Sequence, residues 1–264
     1  MALPDYPTLF WISAIFAVVF LGISKAGFGG GAGFLATPLM SLFIPVADAA
    51  ALLLVLLIIL DFMTIPHYRK EFHRPSLTVL LMGAMVGIVL GSLTFTIFSE
   101  NEQGLRIFIG VIALIYVVYH FAGLAEKVSF SESRFFKPFG IIAGIAAGFA
   151  STLAHAGGPP ATIFLLPQKH EKQVFVGTMT ILFTIVNLVK LIPYSILGLL
   201  KVGDITTILV IAPFCFVGVR LGIYLNKRFS PEWFTRSIFI LLLLTGIHLV
   251  FGFNPVTFLI DVFR

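Results

Sequence analysis

The chain has 264 residues, of which 59% are hydrophobic and 11% charged, and its mean hydropathy is +1.07. That balance excludes a soluble globular domain and indicates an integral membrane protein. The formal charge of +5 is read as Lys and Arg in cytoplasmic loops, not as a nucleic-acid surface, and the single Cys215 excludes a disulfide framework or a thiolate metal cluster.

In chain order, the first apolar stretch covers 8–25. Asp5 stands where a cleavable signal would carry basic residues, so the segment is expected to stay. It runs into Ser24-Lys25-Ala26-Gly27-Phe28-Gly29-Gly30-Gly31-Ala32-Gly33 and resumes at 33–44. Glycines at this density give up helix propensity and leave backbone groups without partners in hydrocarbon, so such a break persists only where it lines a site. Membrane-length stretches follow at 47–66, 75–98 and 104–122, each about the 20 residues a bilayer requires.

A polar loop at 123–136 precedes a second series: 137–154, the break Ala154-His155-Ala156-Gly157-Gly158-Pro159-Pro160, a short piece at 160–167, then 172–198, 203–226 and 232–252. The two series overlay with Gly29-Gly30 on Gly157-Gly158, Pro66 on Pro193, and Val86 to Gly91 on Val217 to Gly222, at offsets of 128, 127 and 131. The expected organisation is a first repeat at 1–122, a cytoplasmic linker at 123–136 and a second repeat at 137–264. Each repeat is a Gly-broken helical hairpin plus three transmembrane helices. The fold class is therefore an all-α polytopic bundle of two inverted repeats with 8 to 10 membrane segments.

Charge distribution supports the inversion. If each broken pair is a hairpin, each half crosses an odd number of times and the halves are inverted. With both termini outside, Arg69, Lys70, Arg74, Lys127, Arg134, Lys137, Lys169, Lys172, Lys227, Arg228 and Arg236 fall in the cytoplasm, leaving Arg106, Lys201 and Arg264 outside. If each broken pair instead crosses once, the best orientation puts eight inside and six outside, a poorer fit to the positive-inside rule. Inverted repeats with discontinuous helices are a plan of secondary transporters. Gly83, Gly87 and Gly91, and likewise Gly140, Gly144 and Gly148, recur every four residues and are read as close helix packing.

Each break is followed by a short helix whose first N–H groups have no intrahelical partner, and Pro159 suits the start of one. Two such N-termini facing the interior would make an anion site around Gly29, Gly30, Gly31, Gly157 and Gly158. Lys25 either contributes to it or snorkels to an interface; His155 either contributes or is a packing residue. On the stretch 172–198, Thr180, Thr184, Asn187 and Lys190 are spaced four, three and three, one helix face, for substrate contact or interhelical hydrogen bonding. Arg220 is read as snorkelling. Asp61 is either a proton-coupling carboxylate or, preferably, the partner of a cation such as Arg69.

These residues resemble the TauE/SafE sulfite exporter family of anion transporters. The resemblance is carried by Gly27-Phe28-Gly29-Gly30-Gly31-Ala32-Gly33 with Pro38, by Gly157-Gly158-Pro159 after Gly148-Phe149-Ala150-Ser151, and by Gly177-Thr178, Asn187, Lys190, Tyr194 and Gly198. It implies an inner-membrane protein that moves sulfite, sulfonates, thiosulfate or related anions, commonly outward, with Asn187 and Lys190 on the pathway. The leading reading is a secondary transporter and not an enzyme: Ser151 and His155 are four apart, but no glycine-flanked nucleophile turn and no His-Glu-x-x-His signature accompanies them. An anion channel is the alternative. The expected partners are a small anion, the lipid bilayer and a second copy in a homodimer, without nucleic acid; no cofactor is implied.

Overall fold

The structure is a computed structural model that describes residues 6–30, 36–41, 43–100, 102–121, 135–200 and 204–252. Hydrocarbon offers no water to satisfy backbone polar groups, and the apolar stretches fold accordingly as helices. They are α1 (Thr8–Phe28), α2 (Ala36–Ser41), α3 (Val46–Tyr68), α4 (Arg74–Leu93), α5 (Phe95–Glu100), α6 (Glu102–Phe121), α7 (Phe136–Ala154), α8 (Gly158–Leu165), α9 (Lys172–Ile196), α10 (Asp204–Arg228) and α11 (Pro231–Phe251). Among the described residues there is no strand. Among the described residues six helices are long and apolar enough to cross a membrane: Thr8–Phe28, Ala47–Tyr68, Arg74–Leu93, Phe136–Ala154, Lys172–Ile196 and Ile205–Arg228. The chain is a polytopic membrane protein.

The stretch expected as one helix at 75–98 is two. α4 stops at Leu93; the Thr94 N–H still makes the helical bond to the Leu90 carbonyl at 3.1 Å, and its hydroxyl shares that acceptor at 2.8 Å, a back-bond that weakens and bends a helix. α5 then starts afresh.

Glycine positions set which helices meet. A Cβ at Gly83 or Gly87 would strike the Ile141 or Ile145 carbonyl oxygen of α7, and one at Gly144 the Leu80 carbonyl oxygen of α4. The same relation holds between α10 and α1, where Gly218 lies against Val19 and Gly22, and Gly222 against Ile23 and Gly27. In both pairs residue numbers rise together, so the helices run parallel. Backbones this close are what small residues every four positions permit.

α3 and α9 cross the centre in opposite directions. His73, just past α3, donates its N–H to Thr178 Oγ1 near the start of α9 at 2.9 Å, while Asn187, further along α9, meets Asp61, further back on α3. α6 and α11 pair mainly with each other. Gly246 packs on Gly110 and Leu114, and Phe239 lies 6.1 Å from Phe121, so this pair is antiparallel too.

The breaks are reversals. Phe164 of α8 reaches back to Gly140, and Gly157 lies on Ala147, so α8 returns along α7. Phe43, just past α2, meets Phe10 near the start of α1 at 6.4 Å. Gly31 lies outside the described residues.

The breaks overlay differently from the sequence alignment. α1 ends with Gly29 left-handed at φ 73° and the Gly30 N–H on the Ser24 carbonyl at 2.9 Å. α7 ends with His155 left-handed at φ 53° and the Ala156 N–H on the Ala150 carbonyl at 3.2 Å. This is the same helix-terminating motif twice, and it places Gly29 on His155, not on Gly157. The left-handed position, usually a glycine, is a histidine in the second half.

Candidate functional site

Lys25 lies one turn before the end of α1, and the parallel course of α1 beside α3 sets it level with Asp61. Its Nζ is 2.7 Å from Asp61 Oδ1, with the two side chains 5% and 0% exposed. The expected pairing of Asp61 with Arg69 is not what forms. Asp61 lies seven residues, about 10 Å of helix, before the end of α3 and is closed off from water. Asn187 Nδ2 donates to Asp61 Oδ2 at 2.8 Å, and Thr184 Oγ1 lies 2.9 Å from Oδ1 and 2.7 Å from the Thr180 carbonyl. A buried carboxylate is stable only with several such donors.

One turn further along α9, Lys190 is fully buried. Its Nζ lies 2.8 Å from the Ser151 carbonyl, 3.0 Å from Ser151 Oγ and 2.9 Å from His155 Nδ1. These three acceptors match the three protons of an ammonium. None is a carboxylate. His155 Nε2 lies 2.8 Å from the Ala50 carbonyl, which only accepts, so the ring proton is on Nε2 and the Nδ1 lone pair faces Lys190. Ser151 Oγ accepts a hydrogen bond from Lys190, which stands between it and the His155 ring, and the Ser-His pair considered from sequence is not formed. Tyr194 closes the far side, its hydroxyl donating to the Thr152 carbonyl at 2.8 Å.

Between these groups lies a narrow cavity of about 30 Å³, room for roughly two waters. Lys25, Ser151, His155, Thr180 and Asn187 line it, with Gly29, Gly30 and Gly158 at its backbone edge. Thr184 and Asp61 stand behind Asn187 and Lys25, and Lys190 behind Ser151 and His155. Gly157 is turned away, against Ala147, Ser151 and Phe183.

The glycines serve the cavity otherwise than by donating. The N–H groups of Gly29 and Gly30 both go to the Ser24 carbonyl, so what these residues provide is space and a left-handed turn. At the start of α8, Pro159 and Pro160 have no N–H and Ala161 bonds the Gly157 carbonyl. Only Gly157 and Gly158 can present donors there, fewer than two open helix N-termini would.

The polar stripe of α9 lies on one buried face, as its spacing predicts, and Thr184, Asn187 and Lys190 bond to other helices while the Thr180 hydroxyl has no partner. What sequence reasoning missed is Ser151 as the anchor of Lys190. The residues are 39 apart in the chain and no periodicity links them.

A family model described as "Sulfite exporter TauE/SafE" matches residues 14–249. No curated protein and no solved structure matches the chain.

Proposed function

Because the chain belongs to the sulfite exporter TauE/SafE family, we propose that it is a secondary transporter that exports a small sulfur-containing anion, such as sulfite or an organosulfonate, across the inner membrane. The observation that carries this reading is Lys190, a fully buried cation beside a cavity, held by Ser151 and His155 and by no carboxylate. An ionisable side chain inside the membrane is costly and marks a substrate path. Lys25, His155, Thr184, Asn187 and Lys190, with Gly29, Gly30, Gly157 and Gly158 shaping the turns, are assigned to binding, as is Gly31 from its place in the sequence, and Asp61 to coupling.

The proposed mechanism is alternating access between two inverted repeats, 1–122 and 137–264, joined by a cytoplasmic linker. What supports it is the pairing of contacts: α1 with α10 as α7 with α4, and Tyr68 to the Ala26 carbonyl as Tyr194 to the Thr152 carbonyl, both 2.8 Å. α1 runs with α3 and α7 against it, which supports reading the two halves as opposed. Transporter sites lie at such repeat interfaces. An inside-negative potential contributes about 2.3 kcal/mol per charge per 100 mV to anion exit, which favours export without a coupling ion.

The test is flux in proteoliposomes across sulfite, sulfoacetate, taurine, thiosulfate, sulfate and a neutral amino acid. Saturable movement of a sulfur anion, reduced at least about tenfold in Lys190→Ala and Gly30→Val, is expected. Non-saturating conductance would indicate a channel, and unchanged flux in both variants would refute the site.

A further inference from the structure

With Lys25 and Lys190 as ammonium groups and Asp61 as a carboxylate, the charges gathered at the cavity do not sum to zero. We infer that this imbalance sets the valence of the transported anion: the site accepts one net negative charge, so a monoanion enters and a dianion is refused unless Asp61 takes up a proton. This deepens the transport reading above and rests on it.

Two buried amines, Lys25 and Lys190, face one carboxylate, Asp61. The 2.7 Å contact between Lys25 and Asp61 closes one charge against the other. Lys190 remains, with its three neutral acceptors. His155 neither adds nor removes charge, because Nε2–H is spent on the Ala50 carbonyl and the Nδ1 lone pair on Lys190. The surrounding walls are Leu21, Leu57, Met179 and Phe183, which answer no charge. One positive charge in such walls is a vacancy for one negative charge.

The donors left over suit an oxyanion. Thr180 Oγ1 is buried, has no hydrogen-bond partner and lines the cavity. Ser151 Oγ accepts from Lys190, which leaves its own proton for a ligand, and Asn187 spends one of its two N–H protons on Asp61. Three donors and a cation fit the three oxygens and single charge of a sulfonate or bisulfite. A second negative charge would stand beside the Asp61 carboxylate with no cation to meet it. With Asp61 protonated, both amines are free and a dianion balances them. That proton then travels with the dianion, and the net charge moved per cycle stays at one.

The titratable groups facing Asp61 are Lys25 from α1 and Lys190 from α9; His155, from the turn after α7, stands against Lys190, and Cys215 is buried on α10. α2 and α8 carry no titratable residue, and α4 none beyond Arg74.

The experiment uses the full chain in proteoliposomes with methanesulfonate, a monoanion, and sulfate, a dianion, as probes. Wild type is expected to move methanesulfonate at least about tenfold faster than sulfate at neutral pH, and Asp61→Asn to invert that preference. Should the variant not fold, the wild type decides alone. Its sulfate flux should rise as pH falls and carry one net charge per sulfate, while methanesulfonate flux carries one charge at every pH. Equal rates for both anions, two charges moved per sulfate, or an unchanged preference in folded Asp61→Asn would overturn the valence assignment and leave the transporter reading standing. Absence of flux for every anion would overturn both.

Discussion

The side chains around the cavity divide into those that hold each other and those with capacity to spare. Asp61 is met by Lys25, Thr184 and Asn187, and Lys190 by Ser151 and His155; each helix-breaking or polar residue there answers another one. Thr180 differs, because its buried hydroxyl has no partner. A hydroxyl in that condition costs about 1 to 3 kcal/mol relative to a satisfied one. Thr180→Val, which keeps the shape and removes the hydroxyl, should leave the thermal midpoint unchanged or raised. It should increase the KM for the transported anion several-fold, read from saturation curves beside melts of the same preparation. A lower midpoint with unchanged KM would make Thr180 a packing residue.

Between elements, the closest approaches are backbone on backbone. At Gly87 a Cβ would collide with the Ile145 carbonyl and the Phe149 nitrogen, atoms of a helix that cannot yield as a side-chain tip does. Gly87→Val should therefore cost more than the roughly 1 to 3 kcal/mol of ordinary overpacking, seen as loss of the monodisperse peak in detergent. Gly30→Ala should cost only about 1 kcal/mol, the strain of a left-handed backbone, since a Cβ there meets nothing within 4 Å. A second contact between elements joins the turn after α3 to the turn before α9. There the rings of His73 and His170 lie 4.4 Å apart, and Ser76 donates to Gln168 at 2.6 Å. Burial holds both imidazoles below the ordinary 6.5, and the His73 charge lowers His170 further. The unfolded chain then takes up protons before the native one, so stability is full above about pH 6.5 and falls as the pH drops below it. The thermal midpoint should decline by about a degree or two between neutral pH and pH 5, and His170→Gln should flatten the decline.

At the scale of the whole molecule, the ends of the helices carry the basic residues in one layer. Lys172 Nζ closes over the Asn226 and Phe229 carbonyls at 2.6 and 2.8 Å, and Arg69, Lys70 and Arg74 flank the turn that meets the start of α9. By the positive-inside rule we propose that this face is cytoplasmic. In a Cys215→Ser background, a cysteine at Lys70 should be shielded from an impermeant maleimide in intact cells and labelled after permeabilisation. Labelling at Lys70 from outside would reverse the assigned orientation.

Much of this was legible in the chain. Spans show as length and hydropathy, the breaks as glycines that hydrocarbon does not tolerate, and the α9 stripe as a helical period, because each is a local requirement of backbone satisfaction in lipid. The glycine ladder of α4 could likewise be read as packing, though not its partner α7. Asp61 shows where local reading stops. Its nearest cation in sequence is Arg69, but the course of α1 beside α3 brings it Lys25, 36 residues away, and hides both from water. Lys190 and Ser151, and the left-handed His155 in the place of Gly29, were equally out of reach. Which charges meet inside a bundle depends on helix direction, depth and rotation, and those are set by close packing of backbones far apart in the chain.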